Sequence, residues 1–91
     1  KKEQAMKNVN RDTSRLVEVI TENPDNYHYY TGIANYVADV MELSDEDNVE
    51  IIIKVLKKNY GRLERLGFKI NWKYVAEQIV VDKEYAKELE K

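Results

Sequence analysis

The sequence predicts an all-α protein, an antiparallel four-helix bundle, and three observations carry that expectation. Three glycines and one proline in 91 residues are too few for the many tight turns of a sheet protein. Lys, Glu, Leu, Ile and Ala dominate instead, and these residues favour helix. Apolar residues also recur at helical spacing in four segments, joined near Asn23, Ser44 and Lys69 by short connections that suit antiparallel neighbours. The expected helices span about 3–22, 24–43, 45–66 and 72–88, in a single domain covering 1–91. That length exceeds the one at which disulfides or metals become necessary for stability.

The first segment is an amphipathic helix. Projected at about 100° per residue, Ala5, Met6, Val9, Thr13, Leu16, Val17 and Ile20 gather on one side, while Lys7, Arg11, Arg15, Glu18 and Glu22 gather on the other. Asn23-Pro24 starts the second helix. Asn accepts the free N–H groups of a helix start, and Pro is preorganised for the first helical position.

In that second helix the polar residues His28, Thr31, Asn35, Asp39 and Glu42 form a narrow stripe. The apolar remainder covers roughly 220° of the circumference. Tyr29, Ile33, Tyr36 and Val40 make one side of this wide arc, and Tyr27, Tyr30, Ala34, Val37 and Met41 the other. A helix of this kind touches neighbours on two sides, so it is either the central element of the fold or part of an oligomer interface.

Ser44 followed by Asp45, Glu46 and Asp47 is an N-cap with acids in the first turn, where the positive end of the helix dipole stabilises them. Val49, Ile52, Ile53, Leu56, Tyr60, Leu63 and Leu66 form the expected buried stripe of the third helix, and Gly67 its left-handed end, with Phe68 packing back on the last turn. Asn71 caps the fourth helix, with Ile70 and Val75 placed as a hydrophobic staple. Trp72, Val75, Ala76, Ile79, Ala86 and Leu89 are expected to face the core, and the Lys/Glu-rich stretch from Lys83 onward to fray.

Composition narrows the function. The net charge is -2, which argues against coating nucleic acid through bulk charge. Charge is nevertheless segregated. Asp39, Glu42, Asp45, Glu46, Asp47 and Glu50 form an acidic block, and Lys54, Lys57, Lys58, Arg62, Arg65, Lys69 and Lys73, opposed only by Glu64, form a basic one. Cysteine is absent, which removes thiolate catalysis, disulfides and cysteine zinc sites. No stretch approaches the roughly 20 apolar residues of a membrane span. The opening Lys-Lys-Glu-Gln has no hydrophobic region behind it, so no signal peptide and a cytoplasmic location are expected. The missing initiator Met suggests a processed or excised chain.

No motif carries chemistry. His28 is the only histidine, and Asp39 lies too far along the same helix to share a metal ion with it. Asp45 and Asp47 resemble the opening of a calcium loop, yet Val49 takes the next ligand position and no glycine follows at the required turn. Ser14 lies mid-helix, Ser44 is a cap, and Gly32, Gly61 and Gly67 are isolated, so neither a nucleophile elbow nor a phosphate loop forms. No enzyme activity, cofactor or metal is expected. A helix-turn-helix over Arg62 to Val81 fares poorly, because Trp72, Val75 and Ala76 occupy positions that should offer polar side chains to base edges.

Two surfaces remain. Tyr29, Ile33, Tyr36 and Val40 of the second helix, with Tyr74, Val81 and Tyr85 on the back of the fourth, are the expected protein-binding residues, since Tyr buries area with little entropy loss. The expected partner is a protein, including a second copy of this chain. The alternative is nucleic acid or another polyanion on a ridge of Lys54, Lys57, Lys58, Arg62 and Arg65, where Gly61 would permit close approach of a phosphate or backbone. The competing view of that ridge is a solvated face whose cations pair with nearby acids.

Overall fold

The computed structural model describes residues 9–89, and every regular element in them is a helix: α1 (Arg11–Glu22), α2 (Pro24–Asp39), α3 (Asp45–Tyr60), α4 (Arg62–Arg65) and α5 (Trp72–Leu89). The caps explain where these helices start. Asn10 has an extended backbone and its side chain accepts the Thr13 N–H at 2.8 Å. This cap starts α1 at Arg11. Residues 3–8 of the expected first helix lie outside the described residues. Asn23 does the same for α2 by accepting the Asn26 N–H at 3.1 Å, with Pro24 in the first turn. One residue therefore makes the whole corner between α1 and α2.

The second helix ends at Asp39, short of the expected Leu43. Past that point the backbone tightens and reverses: Val40 and Met41 both donate N–H to the Tyr36 carbonyl, at 2.9 and 3.2 Å, and Leu43 donates to Val37 at 3.2 Å. Glu42 takes a left-handed φ of 57° to allow this. Ser44 then accepts the Asp47 N–H at 3.2 Å and starts α3.

The third expected helix is interrupted. Gly61 donates its N–H to the Lys57 carbonyl at 2.8 Å, and a Cβ at Gly61 would clash with that same oxygen. Its lack of a side chain is therefore required by the chain's own backbone. After the interruption α4 makes one turn, and Gly67 leaves it with φ 102°. Leu66 consequently turns outward to 69% exposure instead of completing the buried stripe.

Asn71 caps α5 by accepting the Tyr74 N–H at 3.1 Å, and half-buried Ile70 packs on the core that holds Val75. The helix continues past Lys83 to Leu89. Lys83 and Ala86 are buried because the end of α5 lies along α2, where Asn35 donates to the Lys83 carbonyl at 3.0 Å and Lys87 donates to Asp39 at 2.7 Å. Leu89, by contrast, is exposed.

α5 packs on α1, α2 and α3, and α2 packs on α1, α3 and α5. The shared core contains Leu16, Ile20, Tyr30, Ala34, Ile52, Leu56, Trp72, Val75, Ala76, Ile79 and Val80. Each fully buried Ile or Leu contributes about 1.5–3 kcal/mol through removal from water. α3 and α5 run in opposite directions. Asp45, at the start of α3, lies 3.5 Å from the Lys83 ammonium, while Glu64, beyond the end of α3, accepts Trp72 Nε1–H at 2.9 Å. Fully buried Asn48 ties α3 to α2 by donating to the Ala34 carbonyl at 2.9 Å, while buried Thr31 is satisfied within α2 by donating to the Tyr27 carbonyl at 2.6 Å.

Candidate functional site

The core claims only one side of α2. Tyr30, Ala34 and Val37 are buried, and Ile33 is half-buried against the core. Tyr29 and Tyr36 are 53% and 57% exposed, and Val40 and Met41 are exposed as well. Tyr29, Ile33, Tyr36 and Val40 follow one another at spacings of four, three and four, which is the spacing of a seam along one helix face. The Tyr29 ring stands edge-on to Tyr30 at 5.0 Å, so a buried aromatic supports the inner end of an exposed one.

On α5 the outer face carries Val81 and Tyr85, both exposed, and half-buried Tyr74. Tyr85 and Leu89 form one wall of a groove of about 460 Å³ whose opposite wall includes Tyr27 and His28 of α2. Tyr29 and Tyr36 are not among its walls. The structure therefore joins Tyr85 to the side of α2 that carries Tyr27, and does not merge the seven expected protein-binding residues into that groove.

Lys54, Lys57, Lys58, Arg62 and Arg65 are all exposed. Among the described residues none of them lies within ion-pair distance of a carboxylate. Glu64, the acid inside the basic block, is turned to the Trp72 indole.

One further surface was not legible in the sequence. Leu16, Val19, Tyr60, Leu63, Phe68 and Ile70 line an apolar cleft of about 280 Å³ with Asp12 and Arg15 at its edge. Val19 falls outside the α1 stripe, and Phe68 reaches the cleft only because its N–H bonds back to the Leu63 carbonyl at 3.0 Å. A hydrophobic residue just after a C-terminal glycine is the one sequence signal for it.

The shifted titratable groups offer no acid or base poised near neutrality. Burial raises the Tyr30 pKa above the usual phenol value, against a smaller lowering by the Asn59 hydrogen bond of 2.8 Å. Burial also raises Tyr27, assisted by Asp82 and Tyr85. The hydrogen bond to Asp39 raises Lys87. Each shift reinforces the form already present at neutral pH. Among the described residues no three His, Asp or Glu side chains cluster as a metal site, and no helix is long and apolar enough to cross a membrane. No protein-family model matches the chain, and no curated protein or solved structure matches it.

Proposed function

We propose that this chain is a non-enzymatic, regulatory type of protein–protein association module that self-associates through the Tyr29, Ile33, Tyr36 and Val40 face of α2. Tyr74, Val81 and Tyr85 of α5 provide a second contact face. In this reading the frame is an antiparallel four-helix arrangement with α4 as a short extension of α3. One observation carries the proposal: α2 already packs on three helices and still leaves Tyr29, Tyr36 and Val40 more than half exposed in a seam. Tyrosines on a rigid helix bury large area on association with little loss of rotamer freedom.

Light scattering across a concentration series tests this. The native chain is expected to gain mass with concentration, and Tyr29→Ala with Tyr36→Ala to weaken that gain while leaving the helical circular dichroism and melting curve nearly unchanged, as for exposed positions. Equal association of the native chain and this variant would overturn the α2 assignment.

The alternative is binding of nucleic acid or another polyanion along Lys54, Lys57, Lys58, Arg62 and Arg65. It is favoured by the absence of carboxylate partners for these cations among the described residues. Its test is binding of short DNA and RNA duplexes at low salt. Affinity should fall steeply with salt and with Lys58→Glu and Arg62→Glu.

A further inference from the structure

The two most exposed large apolar side chains among the described residues, Val81 and Leu66, sit in surroundings of opposite charge. On α5, Glu77, Glu84 and Glu88 stand four residues before, three after and seven after Val81. That spacing lines them up along one edge of the Val81 and Tyr85 face. Among the described residues no cation lies within ion-pair distance of any of the three; Lys87, which is hydrogen-bonded to Asp39, is near enough to Glu84 to feel its charge. At the α4–α5 turn, exposed Leu66 and Phe68 follow Arg62 and Arg65, which are likewise unpaired there. The one acid between these arginines, Glu64, is held by Trp72.

We infer that the chain associates head to tail, with Leu66 and Phe68 of one copy seated on Val81 and Tyr85 of the next, and Arg62 and Arg65 meeting Glu84 and Glu88. This rests on the reading of the chain as a self-associating module and names a second, distinct contact for it. Charge selects the pairing. Two α5 faces brought together would oppose glutamates to glutamates, and two turns would oppose arginines to arginines, so each patch rejects its own kind and accepts the other. A contact between unlike patches is heterologous and leaves a free patch at each end, so it grows into rings or open chains rather than stopping at a two-fold dimer.

The test is charge-swap complementation in the full chain carrying Tyr29→Ala and Tyr36→Ala, which removes the α2 contact. In this background, mass measured by sedimentation should still rise with concentration and fall with added salt. Glu84→Lys with Glu88→Lys, or Arg62→Glu with Arg65→Glu, should each lower association about tenfold or more, because like charges then face each other. An equimolar mixture of the two variants should recover association, since each then offers the other a complementary patch. Leu66→Ser and Val81→Ser, at exposed positions, should weaken association without altering charge. A monomeric background, swapped variants that associate as the background does, or a mixture that stays monomeric would each overturn the head-to-tail contact. The α2 reading fails separately, when Tyr29→Ala and Tyr36→Ala leave native association unchanged.

Discussion

The Thr13 hydroxyl and the Asn71 backbone N–H, 58 positions apart in sequence, meet at 2.9 Å. The same hydroxyl reaches the Lys69 carbonyl at 3.4 Å, and neighbouring Asp12 accepts the Lys69 N–H at 3.0 Å. The first turn of α1 thus fixes the chain leading into α5 through one fully buried threonine. Thr13→Val keeps the shape and deletes the acceptor, leaving the Asn71 N–H without its partner. The expected cost is about 1–3 kcal/mol, read from urea denaturation, with Thr13→Ser retaining most of the stability.

Gly61→Ala should destabilise the fold, opposite to what helix propensity alone predicts. Gly61 has ordinary right-handed dihedrals, φ -59° and ψ -25°, where alanine is normally better by roughly 1 kcal/mol. The added Cβ would meet the Lys57 carbonyl oxygen, and relief requires the α3–α4 junction to shift. A loss of about 1–3 kcal/mol, typical of overpacking, is expected in thermal melts. A gain in melting temperature would show that the junction relaxes freely.

The helix starts were legible because each depends on one side chain and its own next turn: Asn23, Ser44 and Asn71 all accept the N–H three residues on. Gly67 was legible for the same local reason. The interruption at Gly61 was not, since it arises from the close approach of a carbonyl to a residue whose dihedrals look helical. Phase was then lost beyond it, so Leu66 was assigned to the buried stripe. The burial of Lys83 is not encoded near it in sequence: Asn35 of α2, 48 residues away, donates to its carbonyl, and its ammonium lies 3.5 Å from Asp45 of α3. Angular projection divides the apolar arc of α2 into a Tyr29/Tyr36 side and a Tyr30/Val37 side, but which of the two faces out is set by packing against the other helices. The merging of Tyr85 with Tyr27 depends on helix crossing, which periodicity does not encode.

Glu42→Gly should stabilise the protein. Glu42 is the non-glycine with positive φ among the described residues, at 57°, in a region where a side chain costs about 1–2 kcal/mol and glycine does not. Glycine also loses more freedom on folding, so the net expected gain is about 1 kcal/mol or less. Glu42→Asn should lie between the two, since Asn tolerates this region. Comparison with Glu42→Ala, which keeps a Cβ, isolates the backbone contribution from removal of the charge.

Stability should fall on the alkaline side, with Tyr30 contributing. Burial raises its pKa in the folded chain, so the folded state holds the phenolic proton more tightly than the unfolded one. The stabilisation is complete below the unfolded value of about 10 and is lost as pH rises through the higher folded value. Tyr27 and Lys87 are shifted in the same direction, so the native slope combines all three. Tyr30→Phe separates them: it should cost about 1 kcal/mol at neutral pH by deleting the Asn59 hydrogen bond. It should also lose less further stability than the native chain between about pH 8 and about pH 11. Equal alkaline losses in the urea midpoints of the two proteins would show that Tyr30 ionises as readily folded as unfolded.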